Sequence, residues 1–583
     1  MGAERTDGEH RDVEHRNLEQ SGGLDPAALQ VLIARLGGIA EEMGAVLQRS
    51  AFSPNIKERA DCSAAVFDRE GRLLAQAEHI PVHLGSMPAS VRAVIDHLGD
   101  RLGPGDQAIV NDPFAGGTHL NDITLVAPCF GGSGADGGGP LVGWVANRAH
   151  HADVGGSAPG SIPADAEDIH AEGLRIPPVV LTEDLRALLA ANSRTPVERS
   201  GDLGAQLGAN VVGVERLAEL AGSDFSAVVD HGERRSRAVL GALPESSVSA
   251  SDVLDSTGSS SEQQRPATIR LAVTVRHGDE PPEATGPARQ AGSAASQVRG
   301  GGPRITFDFT GTDPQRWGNT NAVRAVTVSA VAFSLRTVLD PTLPANDGVM
   351  RPVRIITPGG SIVDATPPVA VGAGNVEVSQ RVADVCQLAL AGLVPDRVPA
   401  ASQGTMNNLL IGGDGPDGPW VYYETTAGGQ GGRPPRPGTA TAPVPGMSGV
   451  HTAMTNTRNT PIEALERSYP MRVRSQRLRR GSGGAGAAPG GEGIEREIEV
   501  LVDCTASLIT ERRVSQPWGL AGGQPGAVGE NWLLPQGDET QAERLSDKCT
   551  VRLRAGDVLR VLTPGGGGWG ADASARRYPP STC

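Results

Sequence analysis

Along residues 25–50 the apolar positions Leu29, Leu32, Leu36, Ile39, Met43 and Leu47 recur three or four apart, which predicts an amphipathic helix at the start of the folded body. Residues 1–24 are charged and polar throughout and carry too little apolar surface to pack, so a disordered tail is expected there. From Ala64 to Ala75 the string AAVFDREGRLLA sets two short apolar runs around a turn at Arg69, Glu70 and Gly71, the pattern of a β-hairpin. Strands are expected at 107–110, 123–127 and 141–146, and the run GGSGADGGG between Phe130 and Pro140 reads as a surface loop joining two of them.

Between residues 243 and 304 the composition shifts to Ser, Gly, Gln, Ala and Pro around one strand, TIRLAVTVRH, which predicts a flexible insertion and the main boundary of the chain. After Ile305 strand-like and helix-like segments alternate, and from Leu478 onward the pattern is glycine-rich and strand-like. The expected architecture is therefore α+β, or mixed α/β, in a large multi-lobed body with a β-rich C-terminal region. Its expected parts are a tail (1–24), an N-terminal region (25–242), the insertion (243–304), a central α/β region (305–477) and the β-rich region (478–583). A fixed-period repeat is absent, which excludes solenoids and propellers.

Composition narrows the class. Aromatic residues make up only 3% of the chain, so the core must rest on Val, Leu, Ile and Ala, and 78 Gly with 44 Pro imply many tight turns. A formal net charge of -15 offers no footprint for nucleic acid or an anionic membrane surface. The six cysteines lie far apart with no CxxC pair, the N-terminus lacks the apolar run of a signal peptide, and no stretch of eighteen apolar residues occurs. A cytoplasmic protein is expected.

The chemistry concentrates in two strings, GGTHLNDI and NRAHHADVGG, within a segment from His79 to His170 that holds seven of the twelve histidines. A divalent ion that also handles substrate or water needs three or four imidazole and carboxylate ligands converging from different segments, with a position left open. His119, Asp122 and His150 supply that set, and Asp61 is the carboxylate to add as fourth ligand or close neighbour. The same residue types also terminate strands without binding anything. Mixed N and O donors suit Zn, Mn, Fe or Co without choosing among them. His79 and His83 have helical spacing, but Pro81 between them argues for a polar loop lining a pocket rather than a helical ligand pair. The string GAGNVEVSQRVAD (372–384) resembles a glycine-rich turn entering a helix, and SQGTMNN and HTAMTNTRNTP pack amides and hydroxyls that could orient a small polar ligand. No Walker-type GxxxxGK[ST] string and no GxSxG occur, so nucleotide, if used, must bind on another chain.

Taken together, IKERADCSAAVFDREGRLLAQAEHIPVHLGSMPASV, NDPFAGGTHLNDITLV, ANRAHHADVGG, SQGTMNN, GVHTAMTNTRNTPIEALE and TPGGGGWG resemble the hydantoinase B/oxoprolinase family over about residues 29–570. The resemblance implies an ATP-dependent amidohydrolase that opens a small cyclic amide, a hydantoin or 5-oxoproline. It implies a separate hydantoinase A-type partner that binds ATP and Mg, hence a hetero-oligomer. In that picture the partner activates the ring carbonyl by phosphorylation and a divalent ion held by Asp61, His119, Asp122 and His150 (or His151) supplies a nucleophilic water near neutral pH. His151 or Glu58 would move the proton, and Asn407, Asn456 and Arg458 would orient the substrate. The family also includes the acetone carboxylase α subunit, so an ATP-dependent ketone carboxylase is the alternative, and a scaffold without catalysis the more distant one.

Overall fold

The computed structural model of the chain describes residues 24–77, 80–132, 138–258, 263–278, 301–416, 418–436, 438–439 and 441–572. The expected tail up to residue 23, the middle of the glycine loop, and His79 lie outside the described residues. The fold mixes helices with several sheets.

Helix α1 (Pro26–Ser50) begins where Asp25 accepts the Ala28 N–H and proline occupies the first turn, where no intrahelical N–H bond is lost. Its buried face is the predicted stripe, Leu29, Leu32, Leu36, Ile39, Met43 and Leu47. That stripe packs on a six-stranded sheet formed by β1 (Cys62–Asp68), β2 (Leu73–Ala77), β3 (Ala108–Val110), β4 (Asp122–Phe130), β5 (Leu141–His150) and β6 (Val179–Val180), in the order β2-β1-β5-β4-β3-β6. Helix α2 (Ser86–Leu98) packs through Met87, Val91, Val94 and Leu98 in a cluster with Phe67, Val110, Val126 and Trp144 of the sheet. Helix α3 (Pro196–Ala218) lies against α1, β4 and β5, and α4 (Phe225–Gly241) follows it.

Of the segment expected as an insertion, residues 259–262 and 279–300 lie outside the described residues, and the described part contributes strands to a second sheet. β7 (Ser246–Leu254) and β8 (Ala267–Arg276) pair antiparallel along their length, and β9 (Arg304–Asp308) and β10 (Val353–Ile356) complete the order β10-β9-β8-β7. The alternation SSVSASDVL was masked by its serine content, although its partner β8 buries every second residue, Ala267, Ile269, Leu271, Val273 and Val275. Helices α5 (Arg324–Val338) and α6 (Ser379–Ala391) pack on each other, and α6 packs on β7 and β8.

Strands dominate after residue 407, ahead of the expected onset at Leu478. β11 (Asn408–Gly415) and β12 (Gly418–Thr425) pair with β15 (Cys504–Ile509) and β18 (Lys548–Leu553) in a four-stranded sheet, while β13 (Met471–Arg479), β14 (Gly493–Val500), β16 (Glu530–Leu534), β17 (Glu543–Leu545) and β19 (Val558–Leu562) form a five-stranded one. One apolar cluster runs through the first three sheets, from Ile109 and Leu125 through Ile269, Phe307 and Val382 to Leu410 and Ile509. This shared core fixes the relative placement of the segments that meet at the site. No helix among the described residues is long and apolar enough to cross a membrane.

Candidate metal centre

Strand register brings the first two residues together. β4 and β5 run antiparallel with Asp122 opposite His150, so the carboxylate and the imidazole sit side by side at one end of the sheet. His119 precedes β4 in a turn that glycine alone can make. Gly116 has φ +88°, and a Cβ there would lie 2.5 Å from the backbone of Ala89. Side chains alternate along a strand, so His150 and His151 leave β5 on opposite faces. His150 faces the cluster, whereas His151 Nε2 lies 2.9 Å from Gln206 Oε1 behind the sheet.

The three donor atoms form a nearly equilateral triangle. His119 Nε2 is 3.1 Å from Asp122 Oδ1, His150 Nδ1 is 3.2 Å from the same oxygen, and the two nitrogens are 3.2 Å apart. Ligands about 2.1 Å from one cation stand roughly 3.0 Å apart at octahedral angles and roughly 3.4 Å at tetrahedral ones, so the triangle has the size a small divalent ion requires. All three side chains are buried.

Neighbouring groups hold this triangle in place. His119 Nδ1 lies 3.3 Å from the Gly372 carbonyl, which fixes the proton on Nδ1 and turns the Nε2 lone pair inward. The Glu172 carboxylate holds that loop by accepting the Val371 and Gly372 N–H groups at 3.2 and 2.7 Å. Asp122 Oδ2 accepts from the Thr118 hydroxyl, meets the Asn375 amide at 3.3 Å and lies 3.5 Å from His83 Nε2. His83 is set by Ser63 Oγ, 2.8 Å from its Nδ1. The Tyr423 ring stacks on His150 with centroids 4.5 Å apart, and its hydroxyl donates to Asn408 Oδ1. His150 Nε2 is buried with no protein partner.

The electrostatics favour a cation. Burial pushes the Asp122 carboxyl up, but the adjoining His119 charge and the histidine hydrogen bonds overturn this and hold it well below the usual carboxylate range. Burial would lower His119, yet the Asp122 charge and hydrogen bond raise it, so in the absence of metal a proton sits on this pair. Burial, with His119 beside it, lowers His150 to about 3. One carboxylate, two imidazoles and a preference for one positive charge among them match the donor set of a divalent transition-metal site.

The cavity beside the triangle is lined by Asp61 and His83, by Ile80, Val82, Val376, Met406 and Met454, and by Thr425, Thr455 and Thr457. Asp61 comes from the turn before β1, and its backbone carbonyl accepts the His150 N–H. Burial raises its carboxyl to about 6 despite Arg59.

Thus His119, Asp122, His150 and Asp61 meet in one place, and the other sequence candidates lie elsewhere. His151 is on the far face of the sheet. Glu58 is half-buried beyond the short helix Pro54–Lys57 and does not line the cavity. Asn407 is buried in a network, donating to Gln403 Oε1 and the Thr426 carbonyl and accepting from Arg513. Asn456 and Arg458 are exposed, while their chain neighbours Met454, Thr455 and Thr457 face the cavity. His83 and Asn375 were not selected as site residues. Asn375 sits in a wide helical turn, Gly374–Val378, that leads into α6, an irregularity often found where a helix start serves a site.

The family model described as hydantoinase B/oxoprolinase matches residues 25–572. 5-Oxoprolinase 1 of Arabidopsis thaliana is 37% identical over 94% of this chain, which spans only 42% of that protein's length. The B-type component of a putative D-/L-hydantoinase from a Pseudomonas strain is 29% identical, with 95% of this chain and 91% of that one covered. The crystal structure of ATP-dependent caprolactamase from Pseudomonas jessenii superposes with a TM-score of 0.79 at 25% identity, covering 95% of this chain and 93% of that one. The chain belongs to the hydantoinase B/oxoprolinase family.

Proposed function

We propose that this chain is the metal-carrying, ring-opening component of an ATP-dependent cyclic amide hydrolase, working in the cytoplasm with a separate ATP-binding subunit of the hydantoinase A type. The observation that carries the reading is the His119, Asp122, His150 triangle at the wall of a cavity lined by both apolar side chains and threonines. The Pseudomonas relative of matching length, named as one component of a hydantoinase, supports a two-chain assembly, and the lack of a Walker-type string argues for nucleotide on the other chain.

An amide carbonyl is a poor electrophile, and activation by ATP on the partner makes its carbon open to water. A divalent ion held by His119, Asp122 and His150 would supply Lewis acidity and lower the pKa of water toward neutrality. The remaining work falls to side chains of this chain. Met406, Met454, Val376, Ile80 and Val82 form the surface against which ring methylenes lose water, and Thr425, Thr455 and Thr457 offer hydroxyls to the polar edge of the ring. Thr425 Oγ1 is oriented by the Arg59 guanidinium at 3.1 Å and by Thr457 Oγ1 at 2.8 Å. Asp61, the second carboxylate of the cavity, takes the proton released as water adds to the carbon and returns it to the ring nitrogen as the C–N bond breaks.

The test is turnover of the assembled enzyme. With its partner, the chain should couple ADP release to opening of 5-oxoproline, a hydantoin or a simple lactam, without bicarbonate. His119→Ala should lower ring opening by about 10³-fold or more, the scale of losing an electrophilic site. Full activity in His119→Ala, or a strict need for bicarbonate with a ketone, would contradict the reading.

A further inference from the structure

Behind the sheet from the metal centre lies a second cavity, partly open to solvent, which the proposed reaction does not use. It is walled by Ile123, Val154, Leu174, Leu189 and Leu203, and three buried polar side chains, His151, Asp153 and Arg199, line it. Their unused atoms define what it would bind. Arg199 Nε and Nη1 and His151 Nδ1 are buried and have no hydrogen-bond partner. Burying such groups without a partner is unfavourable, so three at one cavity call for a complementary occupant.

The hydrogen-bond network assigns the histidine tautomer. Gln206 donates through Nε2 to the Ile123 carbonyl and to Asn147 Oδ1, both at 2.9 Å, so the atom facing His151 Nε2 is its carbonyl oxygen. His151 therefore carries its proton on Nε2 and presents a lone pair at Nδ1. The cavity thus offers two N–H donors from Arg199 and one acceptor from His151. Its formal charges are already paired: Arg199 lies 3.2 Å from both Glu198 and Asp202, Asp153 meets Arg194 at 2.8 Å, and Arg186 meets Glu183 at 2.7 Å. A further anion would face this balanced set without a free countercharge.

We infer that this cavity is a second small-molecule site, for a neutral aliphatic amide whose carbonyl oxygen accepts from Arg199, whose N–H donates to His151 Nδ1, and whose methylenes lie against the leucine and valine wall. His151 is then a binding residue of this pocket. The inference stands on the pocket alone and survives if the metal centre does something else. Because β4 and β5 carry Asp122 and His150 on one face and lead to Ile123 and His151 at the other, an occupant here rests against the backbone that aligns the triangle.

The test is binding of δ-valerolactam to the purified full-length chain, by calorimetry or ligand-observed NMR, with pentanoate as the anionic control. Saturable lactam binding should persist in His119→Ala and weaken at least tenfold in Leu189→Trp, which fills the pocket from the helix Glu183–Ala191, and in His151→Phe, which keeps a ring but removes the lone pair. Pentanoate should bind at least tenfold more weakly. Failure of the lactam to saturate, binding abolished by His119→Ala but intact in Leu189→Trp, tighter binding of pentanoate, or a soaked crystal holding only water between Arg199 and His151 would each overturn the inference.

Discussion

Asp122 is the residue on which the candidate centre turns. One carboxylate oxygen faces both His119 and His150 and the other is held by Thr118, Asn375 and His83, so its charge and its orientation are separately fixed. Thr118→Val keeps the shape and removes one hydrogen bond to a ligand, and losing such a support typically costs about 10–100-fold in metal affinity. We predict a loss of that size in chelator competition with full occupancy regained at saturating metal; unchanged affinity would contradict the supporting role. His119, Asp122 and His150 were legible because histidine and aspartate cluster in two strings beside glycine turns and strand ends. Asn375 was not, because it comes from a remote segment where only folding shows that its amide meets Asp122. In the loop 451–461 the cavity takes Met454, Thr455 and Thr457, while the more conspicuous Asn456 and Arg458 are exposed.

At the scale of elements, the glycine-rich C-terminal region is held by backbone packed on backbone. Gly566 to Gly568 thread between three other segments, with Gly566 N–H donating to Gly491, Gly567 to Ala401 and Gly568 to Gln524, at 2.8–2.9 Å. A Cβ on Gly566 would lie 2.1 Å from the Gln430 carbonyl oxygen, which cannot move aside as a side chain could. Gly566→Ala should therefore destabilise by about 3 kcal/mol or more. Gly204, exposed on α3 with nothing within 4 Å of its Cβ position, provides the contrast, and Gly204→Ala should stabilise by about 0.5–1 kcal/mol. Thermal melts of the two variants check both signs. The strand-like reading of this region agrees with β14 to β19, which all lie in it, whereas the backbone-on-backbone packing of its glycines was not legible because the partner segments are remote in the chain.

Asp255, just after β7, anchors the second sheet to the segment after β15. It accepts the backbone N–H groups of Arg513, Val514 and Ser515 and the Ser515 hydroxyl. Burial opposes its charge, but Ser515, Arg381 and these N–H groups lower its pKa below the ordinary carboxylate value. A carboxyl lowered on folding stabilises above its unfolded pKa, and the contribution vanishes as pH falls through the folded value. Asp255→Asn should accordingly cost about 2 kcal/mol at pH 7, and the gap between wild type and variant should close below about pH 4. A gap that stayed constant down to about pH 3 would contradict this. The sequence presented this region as an insertion because serine and glycine outnumber apolar residues there; the anchoring became visible only with the partner segment, more than 250 residues away.

For the whole molecule, three sheets from distant parts of the chain share one apolar core, and the candidate centre lies where the first of them meets β12 and the wide turn leading into α6. The family resemblance carried in the motif strings made the fold class legible, whereas which strands share a sheet depended on pairings as far as about 100 residues apart, as between Asn408 and Ile509. The central claim is that the triangle holds a metal, and elemental analysis of the purified full-length chain beside Asp122→Asn tests it most directly. We predict about one equivalent of a divalent transition metal in the wild type, lost in the variant while its melting curve remains cooperative. A wild type that stays free of metal after supplementation, or an Asp122→Asn variant that retains the full equivalent, would contradict the account.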